Sequence, residues 1–221
     1  MYLIEVQNVR KAYGGKEVLK SISIGIESSE ICLIVGPSGA GKTTLLNILA
    51  SIEVADEGVY MWKGLNKNNV PPKERRRLRR ENMSFIFQEF NVFEELTVRE
   101  NLELFLKYAT TIDKVRWVKL ISEGVDRFKI RDRINTRAKL LSGGERQRLA
   151  ILRSFLKDTE VVFADEPTAN VDDSNKRLIL ESFDLLKQKG SAVIIVSHDR
   201  SYIDFVDKVY RLDDGVLTCD K

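Results

Sequence analysis

The chain has 221 residues, of which 43% are hydrophobic and 31% charged, the balance of a globular protein with one sizeable core or two small lobes. Lys and Arg total 36 against 33 for Asp and Glu, and this small positive excess does not indicate a polyanionic partner. Cys32 and Cys219 match no metal or redox spacing, and no apolar stretch approaches the roughly 20 residues that span a bilayer, so we expect a soluble chain in a reducing cytosol.

The first 26 residues predict two strands of a small antiparallel sheet. Apolar and polar residues alternate between positions 3 and 9 and again between positions 22 and 26. Gly14 and Gly15 provide the turn between the two runs. Tyr13, just before this turn, is either a buried or turn aromatic or a ring that stacks on a nucleobase.

A strand, a glycine-rich loop and a helix follow in the order that phosphate binding requires. Ile31–Val35 is a continuous apolar run that stops at Gly36, and a helical pattern begins soon after. The loop offers backbone amides to phosphate oxygens, the Lys42 ammonium to the β and γ phosphates, and the Thr43 hydroxyl to Mg²⁺. We predict that nucleotide is bound by Gly36, Pro37, Ser38, Gly39, Ala40, Gly41, Lys42, Thr43 and Thr44.

Ser84–Phe87 predict a further strand, and roughly 65 residues rich in helical periodicity come after it. They include predicted helices over 98–108 and 115–128. We interpret them as a helical subdomain spanning about 89–157, inserted into a nucleotide-binding core of about 1–88 and 158–221. Gln88 stands between the two, where its amide can contact Mg²⁺ or water and report the γ-phosphate to the helices.

The segment Lys73–Arg80 holds six Lys or Arg among eight residues. We interpret it as the solvated face of a helix rather than a nucleic-acid patch, because no aromatic residues interleave with the charges.

Leu141–Glu145 precede a periodic stretch that runs to residue 156. Ser142, Gly143 and Gly144 therefore predict a helix start, whose free amides and positive dipole end attract an anion. One nucleotide cannot easily touch two phosphate-binding surfaces on different lobes. Two chains arranged head to tail, each completing the site of the other, would resolve this.

Two acidic residues follow the strand predicted at 161–164, which a parallel sheet would place beside the phosphate-loop strand. The Asp165 carboxylate is then expected to hold Mg²⁺, and Glu166 to act as the base that orients the attacking water. A predicted helix over 174–189 leads to a strand at 192–196, and His198 follows that strand at the same edge of the sheet.

Together these motifs resemble the nucleotide-binding domain of ABC transporters over essentially the whole chain. The resemblance implies an α/β P-loop ATPase fold with a mostly parallel core sheet, an N-terminal antiparallel β-subdomain and an inserted α-helical subdomain. It implies that Tyr13 stacks on adenine beside Val18, that Asp172 belongs to the D-loop, and that Lys42, Glu166 and His198 serve hydrolysis. The signature that faces the nucleotide of the partner chain would be Leu141, Ser142, Gly143, Gly144 and Glu145.

The resemblance also implies two Mg-ATP held in a homodimer and a separate transmembrane permease, with the chain peripheral on the cytoplasmic face of the membrane. The segments around Arg76–Arg80 and Leu96–Asn101 look like the lipoprotein-release, macrolide-efflux and cell-division group. No direct nucleic-acid partner is expected. Two alternatives stay open: a soluble ABC ATPase acting on nucleic acid or ribosomes, and a cell-division type clamp with slow turnover.

Overall fold

The computed structural model describes residues 1–87, 89–110, 112–169 and 171–221. Gln88, predicted as a metal contact, lies outside the described residues. Within these ranges the strands are β1 (Ile4–Tyr13), β2 (Lys16–Ile26), β3 (Ile31–Val35), β4 (Glu57–Trp62), β5 (Leu65–Asn66), β6 (Met83–Ile86), β7 (Val161–Asp165), β8 (Ala192–Ser197), β9 (Lys208–Asp213) and β10 (Val216–Cys219). The helices are α1 (Lys42–Leu49), α2 (Pro72–Asn82), α3 (Val98–Ala109), α4 (Lys114–Arg127), α5 (Gly143–Lys157) and α6 (Asp173–Gln188).

The N-terminal strands form the predicted antiparallel sheet, in the order β2-β1-β4-β5. β1 pairs with β2 from Ile4 opposite Ile26 to Tyr13 opposite Lys16. The turn between these strands contains Gly14 and Gly15, both at positive φ. The alternation in the sequence is therefore the signature of strands with one buried face.

The second sheet has the order β10-β9-β3-β8-β7-β6, and every pairing in it is parallel except that of β10 with β9. The expectation that the strand before Asp165 lies beside the phosphate-loop strand is wrong, because β8 lies between β7 and β3. A buried parallel strand carries the same apolar run whichever neighbours it has, so the pattern could not reveal this order. The carboxyl ends of β3, β7 and β8 still share one edge of the sheet.

The core sheet is covered on both faces, which explains the unbroken apolar run of β3. Ile31, Leu33 and Val35 pack in one cluster with residues of α3 to α6. Cys32 and Ile34 pack in a second cluster with α1 and the antiparallel sheet. All five side chains are buried, and α1 is thereby fixed against the strand that delivers the phosphate loop.

The segment between β6 and β7 contains α3, α4 and α5, close to the predicted helical stretches. The boundaries proposed for the core and the helical subdomain stay predictions. The basic run Lys73–Arg80 lies in α2, where every residue is exposed or half-buried, as expected for a solvated helix. In the described part of the chain, none of the helices has the length and apolar character that crossing a membrane requires.

Candidate active site

The loop after β3 begins in close contact with the backbone of β9. A β-carbon on Gly36 would lie 2.0 Å from the carbonyl oxygen of Leu212, so only glycine fits at the start of the loop. Gly41 has φ 99° and ends the loop as the N-cap of α1. The Lys42 Nζ donates to the carbonyl oxygens of Gly36 and Pro37 at 2.9 Å each, which holds the ammonium over the loop.

An open cleft of about 740 Å³ lies over this loop. Its walls come from the phosphate loop, the ends of β1 and β7, and the segment after β6. The lining residues are Tyr13, Val18, Ser38, Gly39, Gly41, Lys42, Thr43, Thr44, Phe87, Glu89, Asn91, Asp165, Glu166 and Val196.

Three predicted loop residues shape the cleft rather than line it. Gly36 and Pro37 hold Lys42, and Ala40 is buried with its amide donating to the Pro37 carbonyl at 3.3 Å.

Two oxygen donors meet at the floor of the cleft. The Thr43 Oγ1, in the first turn of α1, donates to the Asp165 Oδ2 at the end of β7 at 3.4 Å. Burial and the neighbouring Glu166 carboxylate raise the pKa of Asp165, while Thr43 and Lys42 act in the opposite direction. A carboxylate and a hydroxyl are hard oxygen ligands that suit Mg²⁺, which in nucleotide sites also takes phosphate oxygens and water. The pair therefore fits the predicted metal contact.

Glu166 turns away from the strand direction and is held by the end of β8. Its backbone adopts φ 45°, and its amide donates to the Val196 carbonyl at 2.9 Å. The carboxylate accepts from the Ser197 hydroxyl at 2.9 Å and from the His198 amide at 3.1 Å. The His198 ring Nδ1 lies 2.8 Å from the same carboxylate. A carboxylate has about four lone-pair sites, so a water in the cleft can still hydrogen-bond to it.

Tyr13 and Val18, from β1 and β2, also line the cleft. A β-carbon on Gly41 would approach Val18 Cγ1 to 3.0 Å, so the valine packs on the phosphate loop. The Tyr13 ring is 47% exposed, which leaves room for a planar ligand to contact it. The structure thus favours a cleft aromatic over a buried turn aromatic.

The Leu141–Glu145 run forms a helix start, as the sequence predicts. Leu141 is buried, Ser142 is the N-cap of α5, and Glu145 completes a capping box with it. The Ser142 Oγ accepts from the Glu145 amide at 3.3 Å, and the Glu145 carboxylate accepts from the Ser142 amide at 2.8 Å. Among the described residues, the lining of the cleft includes none of this run.

The start of α5 is locked to the start of α6. A β-carbon on Gly144 would lie 2.5 Å from Asn175 Cγ, so the two helices touch at this glycine. Asn175 Oδ1 accepts from Arg148 at 2.8 Å, and its amide groups donate to Asp172, the N-cap of α6. Hydrogen bonds from Ser174 and Asn175 hold the pKa of Asp172 well below its usual range.

Sequence reasoning missed several residues that the fold brings to the cleft. Ser197 contacts Glu166, and its position between β8 and His198 was the signal that could have found it. Phe87, Glu89 and Asn91 line the wall formed by the segment after β6 and carry no comparable signal.

Comparison with known proteins identifies the family. The sequence profile described as ABC transporter matches residues 19–169 of this chain. The chain belongs to the ABC transporter ATP-binding family.

Two relatives of this family match nearly all of the chain. An uncharacterized ABC transporter ATP-binding protein of Methanocaldococcus jannaschii, MJ1508, is 36% identical, and the match covers 97% of each chain. The macrolide export ATP-binding/permease protein MacB of Bdellovibrio bacteriovorus is 34% identical over 99% of this chain. That match covers only 34% of the MacB protein, so this chain spans about a third of the MacB relative.

A solved structure of the same family has the same fold. The ATP-binding cassette MJ0796, a dimer in a post-hydrolysis state bound to ADP and phosphate, superimposes with a TM-score of 0.83 at 29% identity, covering 99% of each chain. The predicted α/β P-loop fold is confirmed, and the chain is a nucleotide-binding ABC ATPase.

Proposed function

We propose that this ABC ATPase works as a head-to-tail homodimer around two Mg-ATP and drives separate transmembrane permease subunits from the cytoplasmic face of the membrane, as an exporter or a lipoprotein-release type complex. The observation that carries the proposal is that the two helix N-termini predicted to bind phosphate, those of α1 and α5, do not line the same cleft. α1 opens into the cleft, whereas the start of α5 contributes nothing to the cleft lining among the described residues. A second copy would supply Leu141–Glu145 to the nucleotide, and the dimeric MJ0796 cassette supports that arrangement.

Hydrolysis in this proposal depends mainly on positioning. Lys42 binds the β and γ phosphates and stabilises charge on the transferring phosphoryl group. Glu166 accepts a hydrogen bond from the attacking water and takes its proton, while His198 and Ser197 fix the carboxylate from the β8 side. Thr43, Asp165 and Gln88 would hold Mg²⁺, which neutralises phosphate charge when bound.

Substitution of the base tests this assignment. Glu166→Gln keeps the shape of the side chain but cannot take a proton, so we expect ATP turnover to fall about 10²- to 10⁴-fold with ATP affinity retained. Glu160→Gln is the matched control, because Glu160 immediately precedes β7 whereas Glu166 immediately follows it, and Glu160 pairs with Lys63 away from the cleft lining. Turnover of Glu166→Gln at the wild-type rate would contradict the proposal.

The same variant tests the dimer. Light scattering after size exclusion should give twice the 25.3 kDa mass of one chain for Glu166→Gln with Mg-ATP, and the mass of one chain with ADP or without nucleotide. Monomer in all three conditions would contradict a sandwich formed by this chain alone.

A second depression supports the permease part of the proposal. An apolar groove of about 600 Å³ runs between the end of α2 and the helices α3 and α5. Its aromatic lining is Phe85, Phe90, Phe93, Phe105 and Tyr108, and its cationic lining is Arg79, Arg80, Arg153 and Lys157. Burial lowers the pKa of Lys157 to about 8 and also lowers that of Arg153, so acidic groups from a partner would relieve both cations.

The groove and the nucleotide cleft share one short segment. Phe90 lines the groove and Asn91 lines the cleft. Arg153 ties the two together, since its guanidinium donates to the Asn91 carbonyl at 2.7 Å and lies 5.3 Å from the Phe105 ring centroid. We assign the groove to an amphipathic, acidic segment of the permease, because MacB joins an ATP-binding part and a permease in one protein.

Peptide binding tests the groove. A synthetic amphipathic helix with an apolar face and glutamates should bind the wild-type chain, and Arg153→Gln should weaken it several-fold. Arg116→Gln, on the exposed face of α4, is the control. Equal binding of a peptide with lysine in place of every glutamate would contradict an acidic partner.

The alternative of an ATPase that acts on nucleic acid draws on α2. Burial lowers the pKa of Arg79, and the adjacent positive charges of Arg75 and Arg76 lower it further. Salt-dependent binding of duplex DNA or RNA that is lost when Arg75 and Arg76 are changed to Gln would favour this alternative. Absence of such binding would leave the permease as the partner.

A further inference from the structure

Three charged residues outside the recognised motifs, Lys11, Glu53 and Asp56, form a network with Tyr13. Its hydroxyl donates to the Glu53 carboxylate, and the Lys11 Nζ lies 5.4 Å from the ring centroid. Lys11 also donates to Asp56 at 2.8 Å and pairs with Glu53 at 3.4 Å. The tyrosine of the cleft is therefore part of a network rather than a free surface ring.

The chain brings Glu53 to Tyr13 by folding back after α1. The amides of Ile52 and Glu53 both donate to the Asn47 carbonyl, at 2.9 and 3.1 Å, which returns the chain along the helix. The same helix begins at Lys42, in the phosphate loop. One short element thus connects the residues around the phosphates to the acceptor of the Tyr13 hydroxyl.

Lys11 is fixed on the ring from the strand side. Its side chain is only 13% exposed, and it also donates to the Val54 carbonyl at 2.9 Å. The hydrogen bond to Asp56 raises the pKa of Lys11, although burial acts in the opposite direction, so the ammonium stays charged. Asp56 also contacts the backbone of β1, because its carboxylate accepts a hydrogen bond from the Ala12 amide at 2.8 Å.

We propose that Glu53 and Lys11 are positioning residues for the purine of the bound nucleotide. Lys11 covers one face of the Tyr13 ring and Glu53 fixes its hydroxyl, so the remaining exposed face is presented at a set angle. A ring fixed before binding loses less conformational freedom when a base stacks on it, and so binds the base more tightly. This inference rests on the proposed function, because it requires ATP in the cleft.

Comparing two ligands distinguishes binding of the nucleobase from binding of the phosphates. In a Glu166→Gln background, which prevents turnover, calorimetry would compare Mg-ATP with inorganic tripolyphosphate, which has no base. Glu53→Ala should weaken ATP about three- to tenfold, a part of the whole value of a base stacked on an aromatic ring, and leave tripolyphosphate unchanged within about twofold. Tyr13→Phe should lose a similar factor, and the double variant should lose no more than either single one.

The matched control is Glu57→Ala. Glu57 is an exposed residue of β4, in the sheet that contains Tyr13, and its carboxylate pairs with Arg10 at 3.7 Å. This substitution should leave both ligands unaffected. Wild-type ATP affinity in Glu53→Ala would overturn the inference, and so would an equal loss of tripolyphosphate. Failure of the parent chain to bind ATP at all would instead overturn the proposed function.

A second readout needs no nucleotide. Burial and the hydrogen bond to Glu53 raise the pKa of Tyr13. The ultraviolet titration of this phenol, taken as the difference between the parent chain and Tyr13→Phe, should shift to lower pH in Glu53→Ala. An unshifted titration would mean that Glu53 does not hold the hydroxyl in solution and would overturn the inference.

Discussion

Two helix N-termini in this chain are assigned to phosphate, and they are built in opposite ways. The N-cap of α1 is Gly41, and in the described structure no side chain caps this helix and no acidic residue stands in its first turn. The N-cap of α5 is Ser142, which forms a complete capping box with Glu145, and Glu145 places a negative charge in the first turn. Burial alone would raise the pKa of Glu145, but hydrogen bonds from Ser142 and Arg133 outweigh it and lower that pKa.

The difference concerns which amides are available to a ligand. Within the described ranges, no side chain caps the first amides of α1, so they and the helix dipole are available to a phosphate in a single chain. At α5 the amides of Ser142 and Glu145 are already satisfied, and the glutamate opposes an anion. Within the described structure, the Ser142 hydroxyl proton and the amides of Gly143 and Gly144 have no acceptor, so these are the donors that α5 can still offer to the nucleotide of a second copy.

The largest test of this contrast is the loss of the α1 cation. Lys42→Ala removes a charged donor to the phosphates, and we expect the affinity of the chain for Mg-ATP to fall about 100-fold. Calorimetry measures it, and Lys119→Ala on the exposed face of α4 is the control. Unchanged affinity would mean that α1 does not hold the phosphates.

The next test removes the side-chain donor at the start of α5. Ser142→Ala, in the Glu166→Gln background, should leave the ATP affinity of the monomer unchanged within about twofold and weaken ATP-driven dimerisation about tenfold, measured by analytical ultracentrifugation.

The control for the cap itself is Thr97→Ala, because Thr97 and Glu100 form the same capping box at the start of α3. Equal weakening of the dimer by both variants would show that helix stability, rather than the serine hydroxyl, is the cause.

The elements in this comparison could be predicted because their signals are local. An apolar run before glycines predicts a strand and loop, and a serine three residues before a glutamate predicts a capped helix start. The structure contains both: the first is β3 with the loop after it, and the second is the start of α5. The roles given to Lys42, Glu166 and Ser142 stay predictions.

Contacts between distant segments could not be predicted. Lys11 and Asp56 are 45 positions apart, and they meet only through the pairing of strands and the fold of the turn after α1. The position of β8 between β3 and β7 depends on the crossover by α6, which leaves no trace in an apolar run. The groove likewise needs the relative placement of α2, α3 and α5.

A smaller effect is expected where the two helix starts α5 and α6 touch. Gly144→Ala would place a methyl group against Asn175, whose side chain is held by Asp172 and Arg148, and should cost about 1 kcal/mol of unfolding free energy. Differential scanning calorimetry should record a melting temperature about 2–4 °C lower. Asn175→Ala in the same chain should recover part of the loss, and strict additivity of the two changes would argue against the contact.

The smallest effect is a pH dependence confined to α5. Glu145 has a lowered pKa in the fold, so its stabilising contribution is present above the unfolded value of about 4.3 and is lost as pH falls through the folded pKa. Glu145→Gln keeps the capping geometry without the charge and should reduce the unfolding free energy by about 0.5 kcal/mol at pH 7. Urea unfolding should show this gap between wild type and variant closing below about pH 4. A gap that is independent of pH would mean that the carboxylate charge does not stabilise α5, and the contrast with α1 would then rest on capping geometry alone.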